Sequence, residues 1–117
     1  YVRMGAHTLI HKRTEDDIWK NLFELPLVET EKDLSEEEFL ACPQFHALFA
    51  EGEVRMVRTL LRGVKHVLSH RVIYTNFYEV TLPDNSSSFS SYQRVAVEDL
   101  GRYAVPRLIH AFLEKYV

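Results

Sequence analysis

A chain of 117 residues with 46% hydrophobic and 26% charged side chains is sized for one domain with a single core, and it has no disorder signature. No apolar run approaches the roughly 18 residues that would span a membrane, no signal peptide is evident, and the lone Cys42 excludes an internal disulfide and fits a reducing compartment. The net charge of −3 hides an asymmetry: ten acids crowd residues 15–38, whereas Arg55 to Tyr78 contains none.

In chain order, Tyr1–Arg3 and Thr8–Lys12 flank Met4-Gly5-Ala6-His7 and predict a hairpin turning near Gly5. The opening Tyr1-Val2-Arg3, without Met, is what a fragment of a longer protein looks like. An apolar segment follows, Ile18-Trp19, Leu22-Phe23 and Leu25-Pro26-Leu27-Val28, with Trp19 expected in the core and Pro26 at an edge or bend. Ser35-Glu36-Glu37-Glu38 predicts a helix N-cap with an acidic first turn, and Pro43 starts a second short helix over Gln44–Ala50. Cys42, between Ala41 and Pro43, is expected as a small packed residue.

Val54–Leu61 and Val64–Leu68 read as strands separated by Arg62-Gly63. Arg71–Leu82 is the clearest strand. Val72, Tyr74, Asn76, Tyr78, Val80 and Leu82 share one face and Ile73, Thr75 and Phe77 the other, so apolar groups on both sides predict a central strand covered twice. Asp84–Ser91 is expected to be a flexible surface loop. After Pro106, the residues Val105, Leu108, Ile109, Phe112, Leu113 and Tyr116 form one stripe of an amphipathic helix. This order predicts an α+β fold.

The acid-free stretch carries Arg55, Arg58, Arg62, Lys65 and Arg71, with His66 and His70 among them. Such a surface attracts a polyanion, while the acidic section would be repelled by one, so a weak, oriented contact through one face is expected. Lys65-His66-Val67-Leu68-Ser69-His70-Arg71 adds an apolar side chain and a hydroxyl at the end of a strand, a pattern suited to reading a nucleobase. An ordinary hairpin with a solvated basic face has the same composition. His66 and His70 lack a third ligand, and no Gly-rich phosphate loop exists among four glycines.

Three segments carry a family resemblance. Ile18-Trp19-Lys20-Asn21-Leu22-Phe23-Glu24-Leu25-Pro26-Leu27-Val28-Glu29, His66-Val67-Leu68-Ser69-His70-Arg71 and Tyr103-Ala104-Val105-Pro106 occur in order and resemble the C-terminal domain of MutY-type adenine DNA glycosylases. The resemblance implies a Nudix-like fold with a mixed central β-sheet flanked by helices and closed by the C-terminal helix. It implies one 8-oxoguanine-recognition domain over residues 1–117, with double-stranded DNA containing 8-oxoguanine opposite adenine as its partner. Excision chemistry and a 4Fe-4S cluster would belong to an N-terminal glycosylase domain of the same protein, and no catalytic residue or metal site to this chain. A cytoplasmic, nucleoid-associated bacterial protein and a monomer are the further expectations.

Carried onto this sequence, Ser69 would read the oxidised purine. Leu68 takes the place where the family often has an aromatic intercalator. His70 supports the loop or meets phosphate, and Arg71, Lys65 and Arg62 are candidate phosphate contacts. Asn21 stands where the family commonly has glycine.

Nudix hydrolases hold their metal on glutamates of the box G-x5-E-x7-R-E-U-x-E-E-x-G-U after Pro-Gly-Gly. Aligning Pro26 without gaps puts Leu27 and Val28 on the glycines and Leu34, Pro43, His46 and Ala47 on the glutamates. No carboxylate is left for Mg²⁺. A metal-dependent nucleotide pyrophosphohydrolase and a protein-docking domain using Glu36–Glu38 or the Ser-rich loop are the alternatives.

Overall fold

The computed structural model describes residues 1–50, 52–89 and 91–117. Its elements are β1 (Val2–Arg3), β2 (His7–Lys12), β3 (Phe23–Glu24), α1 (Glu36–Ala41), α2 (Pro43–Leu48), β4 (Met56–Val67), β5 (Val72–Thr81), β6 (Gln93–Ala96), a 3-10 helix (Val97–Arg102) and α3 (Arg107–Tyr116). One sheet has the order β1-β5-β4, with β1 parallel and β4 antiparallel to β5; the other, β3-β2-β6, is antiparallel. The architecture is the α+β arrangement of mixed sheet and flanking helices expected from the sequence.

The central strand is clad on both faces. On one, Phe77 stacks on Phe112 of α3, ring centroids 4.2 Å apart and nearly parallel at 6°. On the other, Tyr78 stacks on Phe39 of α1 at 4.3 Å. Two cores result, one around Tyr1, Ile10, Phe77, Leu100 and Phe112, the other around Val2, Met4, Leu9, Phe45, Val80 and Leu82. Alternation at period two sends neighbouring residues of one strand into different cores.

That cladding stops short of the Val72 end. Val72 and Tyr74 are exposed, against the expectation of a strand covered along its whole length. The reason is length. The ten residues of β5 extend roughly 33 Å, while the six of α1 reach only about 9 Å. The β4–β5 hairpin therefore overhangs the helices.

Local chemistry explains most element ends. Ser35 accepts from the Glu38 N–H at 3.1 Å, and the Glu38 carboxylate accepts from the Ser35 N–H at 3.0 Å, a reciprocal cap that starts α1. Pro43 opens α2, which closes at Leu48, before the expected Ala50. Cys42 joins the two helices and packs against the second core. Asn21 has φ 72°, the left-handed region that glycine favours and that asparagine tolerates better than other side chains. Asparagine in place of the resembled family's glycine therefore keeps the turn.

Four further expectations are corrected. Gly5 does turn the chain, with a Met4–His7 bridge, but no β1–β2 ladder follows, because β1 joins β5 while β2 joins β6. Val54–Leu61 and Val64–Leu68 are not two strands: β4 runs through Arg62-Gly63 with a bulge at Gly63, where φ is +65°. Trp19 is half-buried rather than a core residue, with the Arg13 guanidinium over its ring at 5.7 Å, and Ile18 is 71% exposed. Arg13 also bonds Asp17 and Glu24, each at 2.8 Å, so this segment is organised around a cation.

The fourth correction concerns the serine loop, of which Ser90 lies outside the described residues. Ser88 is buried, and Phe89 packs against the second core. The Glu53 carboxylate accepts from Ser86, Ser87 and Ser88 hydroxyls and from the Ser87 N–H. These bonds, that from Ser86 foremost, favour the charged form and hold the carboxyl at about 2, down from its ordinary 4.5. The sign is that of a depressed acid: the tether is intact above about 4.5 and is lost as pH falls through 2. In an NMR titration the Ser87 amide is expected to move with a midpoint near 2, and Glu53→Gln to abolish that step. A midpoint at 4 or above would show the tether absent in solution.

Candidate nucleic-acid interface

The acid-free stretch folds into the overhanging hairpin. Val67 pairs with Val72, and the intervening Leu68-Ser69-His70-Arg71 turn is closed by the Leu68 N–H donating to the Arg71 carbonyl at 2.7 Å. Ser69 and His70 sit exposed at the tip. Among the described residues neither the Ser69 N–H nor its hydroxyl has a hydrogen-bond partner. The tip thus presents one donor that is only a donor and one hydroxyl that both accepts and donates. Leu68 is half-buried rather than projecting, so its side chain is partly claimed by the turn.

The cations divide by what already holds them. Arg55 donates to the Gly52 carbonyl at 2.8 Å, and Arg58 to Glu79 at 3.1 Å. Arg62 donates to both Asp33 oxygens, at 3.2 and 3.1 Å, and to the Leu34 carbonyl at 3.2 Å. It lies at the bulge, away from the tip, in a network that sequence reading missed. There the Gly63 N–H donates to Asn76 Oδ1 at 2.7 Å, and Asn76 Nδ2 donates to Asp33 at 2.8 Å. Arg62 therefore braces the bulge that aims the hairpin. The Arg62-Gly63 pair inside a strand pattern was the available signal, since a strand glycine often marks a bulge.

Lys65 and Arg71 are exposed and take part in none of the ion pairs among the described residues. Arg71 does lie near enough to Asp17 for their charges to interact, although Asp17 is bonded to Arg13. The structure thus brings Lys65, Leu68, Ser69, His70 and Arg71 to one end of one hairpin and sets Arg62 apart.

An open groove of about 680 Å³ runs beside β5 and below the Leu25–Leu34 segment. A family model described as the NUDIX domain matches residues 1–115. The chain belongs to the NUDIX domain family. No curated protein matches it.

In this NUDIX domain the acids do not gather for a metal. Of the four carboxylates lining the groove, Glu24 is neutralised by Arg13 at 2.8 Å and Asp33 by Arg62 at 3.1 Å, while Glu29 and Glu31 carry no ion pair among the described residues. On α1, Glu36 accepts from the Thr59 hydroxyl and Glu38 closes the helix cap. Among the described residues no three His, Cys, Asp or Glu side chains converge as a ligand group. These residues do not fit the divalent cation that the hydrolases of this fold employ. Likewise a single half-buried cysteine does not fit an iron–sulfur cluster. No helix is long and apolar enough to cross a membrane among the described residues.

Proposed function

We propose that this NUDIX domain reads 8-oxoguanine opposite adenine in duplex DNA, as the recognition module of an adenine DNA glycosylase whose excision chemistry resides on another domain. The observation that carries the reading is the unpartnered Ser69 hydroxyl and N–H at the tip of a cationic hairpin that has no acid between Arg55 and Tyr78. Guanine offers an acceptor at N7 in the major groove. Oxidation at C8 makes N7 a donor and adds O8 as an acceptor. A tip that accepts through Oγ and donates through N–H complements that reversed pair.

Lys65 and Arg71 supply phosphate contacts beside the tip, and His70 joins them or props the turn. Two cations beside the tip, Lys65 and Arg71, whose side chains no ion pair or hydrogen bond holds among the described residues, are few for a DNA binder, and the acidic segment repels DNA elsewhere. Binding by this chain is expected to be weak and oriented, with log K falling against log salt at a shallow slope of about −2.

Fluorescence anisotropy at low salt with two duplexes differing only in the oxidised base tests the reading. The expected result is tighter binding of the 8-oxoguanine:adenine duplex. Equal affinity for the guanine:adenine duplex would sink it. Turnover of nucleoside triphosphates with Mg²⁺ would favour the hydrolase alternative, and none is expected.

A further inference from the structure

The overhanging end of the hairpin has a broad side as well as a tip. Antiparallel register places Lys65 opposite Tyr74 and Val67 opposite Val72. Directly opposed residues lie on the same face of a sheet, so these four side chains form one plate. Tyr74 is 68% exposed, Val67 66% and Val72 43%. On the reverse face, His66 and Ile73 are half-buried against the domain.

Single exposed apolar residues on a surface mean little, but three adjoining ones on a strand pair that outruns its supporting helices are unusual. The apolar surface at this end is offered by this plate more than by the half-buried Leu68.

The plate's chemistry selects its occupant. A tyrosine ring gives a flat face on which a base or sugar can lie, and the lysine beside it is a compact cation suited to phosphate. His66, His70 and Arg71 adjoin it in the sequence. Asp33 is held by Arg62 and Asp17 by Arg13, while Glu29 and Glu31, which line the groove together with Val72 and Tyr74, carry no ion pair among the described residues. An acidic protein surface would match the cations, but it would not use a bare aromatic face beside them as a DNA strand would.

We infer that Tyr74, flanked by Val67 and Val72, is a second DNA-contacting surface, with its ring against a sugar or base of the strand that the tip engages and Lys65 on the adjoining phosphate. The inference rests on the reading that the hairpin meets DNA. It adds that the hairpin lies against the duplex along its Tyr74 face, rather than touching it by the tip alone. Such a contact carries no preference for the oxidised base, because every base has a π-face.

Anisotropy titrations of the native chain and of Tyr74→Ala, Tyr74→Phe and Lys65→Ala, over a series of salt concentrations, test this. Tyr74→Ala is expected to weaken binding of oxidised and unoxidised duplexes alike, by about tenfold, with the salt slope unchanged. Tyr74→Phe should bind as the native chain does. Lys65→Ala should lower the slope of log K against log salt by about 1.

If Tyr74→Ala binds like the native chain while the native chain still prefers the oxidised duplex, the plate inference is overturned and the tip reading stands. If the native chain binds neither duplex at low salt, both fail together. Self-association of the native chain that Tyr74→Ala abolishes, with DNA binding unaltered, would overturn the inference in favour of a protein contact. The exposure of Tyr74 makes a folding defect in these variants unexpected, and an unchanged urea midpoint for the free variants would verify it.

Discussion

Replacing Phe112 by alanine is expected to destabilise the domain by about 3–5 kcal/mol, the largest stability loss of any change considered. Phe112 is 2% exposed, lies parallel on Phe77 at 4.2 Å and meets Tyr1 edge-on at 6.1 Å. It is the residue through which α3 grips the central strand. Truncation would remove the transfer free energy of a buried ring and leave a cavity that the sheet is too rigid to close. A domain of this size has only about 5–15 kcal/mol in total, so the variant would sit near the edge of folding.

Urea denaturation checks this: the midpoint should fall while the slope stays that of the native chain. Tyr116→Ala, at a ring 36% exposed on the same helix, is the comparison and should cost much less. A loss below about 1 kcal/mol for Phe112→Ala would mean that α3 does not pack as described.

Ser69→Ala is expected to collapse the discrimination between oxidised and unoxidised duplexes while leaving the fold intact. The serine is exposed and, among the described residues, bonded to nothing, so the domain loses no contact. In the complex, alanine would keep the backbone N–H for O8 but leave the N7 hydrogen of 8-oxoguanine facing a methyl group. An unpaired donor in a desolvated site costs about 1–3 kcal/mol, equivalent to about 5–150-fold in the ratio of the two dissociation constants.

Binding to the guanine:adenine duplex should fall less, since there the hydroxyl could only donate to guanine N7 and the substitution leaves no N–H donor unpaired. A ratio that survives the substitution would remove Ser69 from recognition. Together with the uniform loss expected for Tyr74→Ala, the two variants separate the part of the hairpin that selects from the part that holds.

Much of the fold was legible before any coordinates. Ser35, Pro43 and Pro106 mark helix starts because capping and proline geometry act within a few residues. Phe77 and Tyr78 on opposite faces identified a doubly packed strand because alternation is a property of the strand itself. The candidate site was legible to the same depth: Leu68, Ser69, His70 and Arg71 are contiguous, so any hairpin there brings them together.

What was hidden depends on partners distant in sequence. Arg62 looked as free as Lys65 until Asp33, 29 residues away, was seen to hold it. The serine loop looked mobile until Glu53, 33 residues before Ser86, was seen to gather it.

The residues by themselves determined the α+β class, the central position of β5, the helix starts and the cationic, acid-free character of the hairpin's outer end, since each follows from local periodicity, composition or backbone preference. Only the tertiary structure decided which cations stay available, that Gly63 bends one continuous strand, and that Val67, Val72 and Tyr74 stand bare. Those outcomes depend on how far two short helices reach along a longer strand and on which acids are carried to which arginines by the folded chain. Neither is encoded in any window of neighbouring residues.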